Sequence, residues 1–267
     1  MFELLTTRIV EKPWGRTDIP AAFGAFDGRR IGEIWFEGAG CARHPLMVKF
    51  LFTSERLSVQ VHPDDAQAHA AGFPCGKEEC WLVLDAAADA ELGVGLIAPQ
   101  SRDTLHAAAM DGRIVDMVDW RRAKTGDFVY NQSGTIHAIG AGLTVVEVQQ
   151  NVDCTWRLYD YGRPRELHLD AGLSVAHMAP RPDPRDRAVD AAQSAKLVEG
   201  PFFHLLHLAG GDAMALPADG AGDYLLTPLG AGCSYAGTPL MLGQCARIDA
   251  PSAIMLAPGA RALLCWA

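Results

Sequence analysis

At 267 residues, 49% apolar and 21% charged, the chain can bury a core as one large or two modest domains, and its composition excludes a disordered polymer. A formal net charge of −9 argues against nucleic acid as a partner, because phosphate-backbone binding needs a basic face; a few local arginines could still hold one small anion. No apolar run approaches the roughly 18 residues of a membrane span, and Met1-Phe2-Glu3-Leu4-Leu5 is no signal peptide, so no membrane partner and a cytoplasmic location are expected.

In chain order, residues 46–52 and 57–62 read as a hairpin through Thr53-Ser54-Glu55-Arg56. The stretch Leu57-Ser58-Val59-Gln60-Val61-His62-Pro63-Asp64 alternates and ends at a proline, as strands do. Ser58, Gln60 and His62 then share one face, with Val59 and Val61 on the other. A face of Ser, Gln and His suits the wall of a polar pocket inside a barrel better than a core. A second strand, Lys77-Glu78-Glu79-Cys80-Trp81-Leu82-Val83-Leu84, puts Lys77, Glu79 and Trp81 on one face and Glu78 on the other, where it is expected to meet solvent. An inward carboxylate beside an ammonium is costly to desolvate unless both are paired or used.

Strands are expected at 79–85 and 92–98, followed by a helical interlude from Ser101, a candidate cap, to about Trp120. Strands resume at 127–130, 143–150 and near 154–159. Gly134-Thr135-Ile136-His137-Ala138-Ile139-Gly140 brackets a further histidine with glycines, and Glu147 shares an inward face with Val145 and Gln149. Three prolines among charges in 178–187 mark a linker. Beyond it, short apolar runs broken by Gly and Pro predict a second, small β-sandwich. His204 and His207 would face opposite ways on a strand, so no second metal site is expected there. The expected division is a catalytic unit over 1–177, a connecting segment over 178–197 and a metal-free β domain over 198–267.

Gln60, His62, Glu79 and His137 would together offer two imidazoles, a carboxylate and an amide oxygen, an open zinc site with room for water or substrate. The seven cysteines (Cys41, Cys75, Cys80, Cys154, Cys233, Cys245, Cys265) are odd in number and lack a C-x-x-C pair, which favours free thiols. Alternation turns Cys80 away from Glu79, toward a packing role.

Taken in order, the segments 57–64, 76–81 and 134–140 resemble type I mannose-6-phosphate isomerases, which are zinc-dependent cupins. Glu11-Lys12-Pro13-Trp14-Gly15, Gly32-Glu33-Ile34-Trp35, Val146-Glu147-Val148-Gln149-Gln150 and Thr155-Trp156-Arg157-Leu158-Tyr159-Asp160-Tyr161-Gly162-Arg163 extend the likeness over roughly the first 170 residues. The resemblance implies a mainly β bicupin: a cupin-type β-barrel or jelly roll with a short helical insertion, then a second smaller β-barrel. It also implies Zn2+ on Gln60, His62, Glu79 and His137, with Lys77, Glu147 and Arg157 around the substrate. Asn131-Gln132-Ser133 replaces the proline-containing approach of many relatives, and there is no room for the helical insertion of the larger members.

The activity implied is interconversion of mannose 6-phosphate and fructose 6-phosphate through a metal-stabilised enediol or enediolate. Such chemistry needs a base to move a proton between adjacent carbons. Glu147 is the preferred candidate and Lys77 its competitor. Ser58, Arg157 and Arg163 are expected to meet the substrate, Arg157 at its phosphate or enediolate. Two alternatives stay open: a cupin metalloenzyme acting on another sugar phosphate, and a non-catalytic sugar-phosphate-binding cupin. The oligomeric state is undetermined.

Overall fold

Leu46–Phe52 is buried at every position although it carries Lys49, so both of its faces meet protein. It lies within a seven-stranded antiparallel sheet ordered Arg187–Ala188, Asp127–Asn131, Glu79–Ala86, Leu143–Gln150, Leu46–Phe52, Ile31–Glu37 and Thr6–Arg16. A five-stranded sheet faces it, ordered Trp156–Tyr159, Val59–Val61, His137–Ile139, Glu91–Leu96 and Val118–Arg122. The structure, a computed structural model, describes residues 1–38 and 43–267, so Cys41 lies outside the described residues.

Alternation sorts the seven-stranded sheet into two environments. Ile34, Val48, Phe50, Cys80, Leu82, Val146 and Val148 join a core with Leu205, Leu225, Leu263 and Cys265 of the C-terminal region. Their neighbours Glu33, Lys49, Glu79, Trp81, Glu147 and Gln149 turn to the opposite face and line a cleft. Trp14, Leu51, Val83, Leu92, Val94, Ile139 and Val145 pack together in a separate apolar cluster. The outer face of the five-stranded sheet, through Val59, Val61, Ala138 and Leu158, packs with Leu105 of helix Arg102–Asp111 and Leu173 of helix Leu169–Val175.

The C-terminal region builds a six-stranded sheet and a three-stranded sheet. One edge of the former is Phe2–Leu4, paired antiparallel with Ala246–Ile248 in the register Phe2 to Ile248. The fold is mainly β, built of antiparallel sheets. Among the described residues no helix is long and apolar enough to cross a membrane. The six described cysteines are free, and Cys80 packs in the shared core.

Three local expectations need correction. Residues 46–52 and 57–62 do not form a hairpin: Leu46–Phe52 pairs with Ile31–Glu37 and Leu143–Gln150, while Val59–Val61 pairs with strands of the facing sheet. Thr53–Leu57 is a crossover, its backbone tied to Leu143 and Ile139 instead of to itself. The helix capped by Ser101 ends at Gly112, in the left-handed conformation favoured by glycine; a short helix Ile114–Met117 follows, and Trp120 lies in a strand. Glu78 is 6% exposed, because the turn before His137 covers it. The proline-rich segment is irregular but docked: Gln132 donates to Asp183, and Tyr130 N–H to Asp186.

Candidate metal centre and cleft

Gln60 and His137 are register partners on adjacent strands of the five-stranded sheet, and His62 follows two residues after Gln60. Glu79 opens a strand of the facing sheet, so its carboxylate reaches both imidazoles. Its Oε2 lies 3.4 Å from His62 Nε2 and its Oε1 3.3 Å from His137 Nε2. One ligand atom from each of these three residues falls within 4.8 Å of the others. His137 Nδ1 is 2.8 Å from the Thr135 carbonyl, and donating there leaves the Nε2 lone pair aimed at the centre. The Gln60 amide contacts His137 Nε2 at 3.2 Å, and its oxygen accepts from Ser58 Oγ at 3.0 Å. A half-turn of that amide presents oxygen to the same space.

Electrostatics prepares these groups for a cation. Burial, reinforced by Lys77, holds His62 down to about 3, and burial lowers His137 as well. Both rings are therefore neutral donors. Burial opposes ionisation of Glu79, but the Lys77 ammonium 2.9 Å away outweighs it and holds the carboxylate well below its ordinary value. Two neutral imidazoles and an anionic carboxylate, with an amide beside them, match the donor chemistry of an open zinc site.

The turn carrying His137 is itself anchored. Glu78 Oε1 accepts from Ser133 N–H (3.0 Å) and Ser133 Oγ (2.8 Å). Gly134 follows at φ +79°, where an added Cβ would come within 2.6 Å of His177 Nε2. Glu78 and Gln150 clamp each other: Glu78 N–H donates to Gln150 Oε1, and Gln150 N–H to the Glu78 carbonyl.

Beside the donor set lies a buried charge cluster. Lys77 Nζ is 2.9 Å from Glu79 and 3.9 Å from Glu147, so it sits between them one residue pair before the strand begins. Glu147 accepts from Trp81 Nε1 (3.0 Å) and pairs with Lys49 (2.9 Å). Burial and the neighbouring Glu79 push Glu147 up to about 7 despite both lysines. Burial disfavours the Lys49 ammonium, yet Glu147, Glu33 and Glu79 outweigh it and keep the lysine charged. Glu33 is buried next, paired with Lys12 at 3.6 Å and accepting from Trp35 Nε1. The cleft holds about 630 Å³ of atom-free space, including its open mouth.

The structure thus brings Ser58, Gln60, Lys77, Glu79, Glu147 and Arg157 to one cleft between the two sheets, where Glu79 meets His62 and His137. Arg157 is the register partner of Gln60. Arg163 is placed elsewhere, paired with Glu55 (2.8 Å) and Asp160 (3.1 Å). Lys49 and Arg165 line the cleft and escaped the sequence reading. In the C-terminal sheet, His204 stacks on Trp266, and His207 is fully buried with Nδ1 2.9 Å from the Gln193 carbonyl.

No protein-family model matches the chain. Over 174 residues it is 38% identical to the mannose-6-phosphate isomerase of Bacillus subtilis, covering 60% of this chain and 55% of that protein. A probable mannose-6-phosphate isomerase of the same organism is 31% identical over 243 residues, covering 72% and 75%. The chain spans little more than half the length of several curated relatives it matches, from 53% to 61%. The crystal structure of the Bacillus subtilis mannose 6-phosphate isomerase superposes with a TM-score of 0.81 at 26% identity, covering 98% of each chain. A zinc-bound mannose 6-phosphate isomerase shares the fold, with a TM-score of 0.68 at 14% identity over 99% of each chain.

Proposed function

The chain belongs to the mannose-6-phosphate isomerase family, and from that premise we propose that it interconverts mannose 6-phosphate and fructose 6-phosphate as a zinc-dependent enzyme. The observation that carries the reading is a buried carboxylate, Glu147, beside the convergent donors of His62, Glu79 and His137 in one cleft. Zinc would be held by these three residues and Gln60. When bound, the ion supplies Lewis-acid stabilisation for the oxyanion that develops on the sugar.

Glu147 takes the proton from one sugar carbon and returns it to its neighbour. A carboxylate raised to about 7 can hold and release a proton near neutrality, which matches the task. Trp81 and Lys49 fix its orientation, so the shuttle costs little rearrangement. Lys77, paired with Glu79, contributes positive charge to the developing enediolate rather than serving as the base. Arg157 holds the phosphate or enediolate. Residues 1–177 carry all of this chemistry, and the domain over 198–267 carries no metal.

A coupled assay on mannose 6-phosphate, with metal analysis of the purified protein, tests the proposal. Turnover with about one zinc per chain is expected. A zinc-loaded protein that binds the sugar phosphate but exchanges no C2 proton with solvent would leave it a sugar-phosphate-binding protein instead.

A further inference from the structure

The loop after Trp156–Tyr159 doubles back on its own strand. His168 N–H donates to the Arg157 carbonyl (2.7 Å), and Arg163 N–H donates to the Asp160 carbonyl (3.0 Å). The reversal passes through Tyr161 at φ 54° and Gly162 at φ 75°. The left-handed region is natural for the glycine and uncommon for a side chain as bulky as tyrosine. The fold therefore maintains this reversal against a local preference.

The reversal gathers two guanidinium groups on one carboxylate, Asp160, which is 2% exposed. They engage it differently. Arg163 is divided: Nη1 donates to Asp160, Nη2 donates to Glu55, and the group lies against the Tyr161 ring. Arg165 places Nε (2.5 Å) and Nη2 (2.7 Å) on the two oxygens of Asp160. A guanidinium carries five N–H bonds in a planar fork, so this side-on pairing leaves the Nη1–Nη2 edge available. Arg165 lines the cleft and Arg163 does not. Beside Arg165 on that wall is Arg157, whose guanidinium makes no hydrogen bond or ion pair with the described residues.

We infer that Arg165, held in place by Asp160, grips the phosphomonoester dianion of the substrate together with Arg157. The inference rests on the sugar-phosphate reading above. Two adjacent guanidiniums, one lacking a counterion, make a site for a doubly charged anion. Burial and the nearby charge of Arg165 lower the pKa of Arg157, although Asp160, Asp153 and Glu166 act the other way. Asp160 is a positioning residue: it touches Arg165, not the substrate.

The test compares calorimetric binding of mannose 6-phosphate and of mannose to zinc-loaded wild type and variants, with steady-state kinetics in parallel. Arg165→Ala should weaken mannose 6-phosphate binding about 10- to 100-fold, the size of a lost charge-assisted contact, and leave mannose binding unchanged. KM should rise by the same factor, with kcat and zinc content little altered. Wild-type KM should climb below about pH 6, where the phosphomonoester dianion takes up a proton and becomes a monoanion, and Arg165→Ala should flatten that climb. Asp160→Asn should give a smaller loss in the same direction. Arg165→Lys keeps the charge without the two-pronged edge and should lose several-fold, which covers the case of an Ala variant that does not fold. Wild-type discrimination retained in Arg165→Ala or Arg165→Lys would overturn the inference, as would a larger loss in Arg163→Ala. A wild type that does not distinguish mannose 6-phosphate from mannose would instead remove the sugar-phosphate reading itself.

Discussion

Between its two large sheets the N-terminal region encloses Glu33, Lys49, Lys77, Glu79 and Glu147, none more than 7% exposed. The six-stranded sheet and its three-stranded cover enclose Leu206, Leu226, Leu264, Tyr224, Tyr235 and Ile248 instead. Both interiors are built from alternating antiparallel strands. They differ in what alternation delivers to the inside. Buried ions gain little net stability once desolvation is counted, whereas apolar burial is worth about 25 cal/mol per Å². One interior is organised for chemistry and the other for cohesion.

The largest expected effect separates chemistry from fold. Glu147→Gln keeps the shape and removes the proton acceptor, so exchange of the sugar C2 proton should fall about a hundred- to ten-thousand-fold with zinc retained. If Glu147→Gln retained exchange and Lys77→Met abolished it, the base would be Lys77. Next comes stability. Lys49→Met strands Glu147 in a dry site and should cost about 3–5 kcal/mol, while the pair Lys49→Met with Glu147→Gln should recover much of it without restoring activity. Urea unfolding of the two variants measures this, and equal costs would mean that the ion pair is not what is being broken. In the other interior, Leu226→Ala should cost about 2–5 kcal/mol by leaving a cavity, with kcat unchanged in the protein that stays folded.

Support of the metal comes next in size. Glu78→Ala removes the acceptor that holds Ser133, so zinc affinity should drop about 10- to 100-fold, and Glu78→Gln should keep most of it. A zinc dissociation constant unaffected by Glu78→Ala would show that the turn holds itself. The smallest effect is acid sensitivity in the cohesive interior. Burial lowers the pKa of His207 below its ordinary 6.5. As pH falls through 6.5 the unfolded chain takes up a proton that the folded chain refuses, so stability should decline on that side and be complete above it. His207→Leu should flatten the decline in urea midpoints between pH 7 and 5; an unchanged slope would exclude the histidine as its source.

What was legible in the sequence followed strand alternation. A two-residue period assigned the faces of Gln60, His62 and Glu79, while the glycines on either side marked His137. Lys49 was illegible because Leu46–Phe52 is apolar on both faces, and a single lysine in such a run has no local mark of where its partner lies. The misplaced hairpin hid it further, since strands 46–52 and 57–62 belong to different sheets. Glu78 was misjudged because alternation gives a face but not what covers that face; here the cover is a turn more than fifty residues later. Arg165 sits in irregular backbone, where no period applies. Its placement depends on Asp160, a buried carboxylate that only the chain reversal brings to it.

The strand Phe2–Leu4 closes the edge of a sheet whose partner segment, Ala246–Ile248, lies at the far end of the chain. During synthesis at about 5–20 residues per second, the early strand waits roughly ten to fifty seconds before its partner is made. Throughout that interval the nascent chain carries an unmatched strand, and once the C-terminal sheet forms its edge stays open until the docking completes. Closing so long a loop is slow, which makes this seam a point where chaperones would meet the newborn protein and where crowded refolding would favour strand exchange between copies.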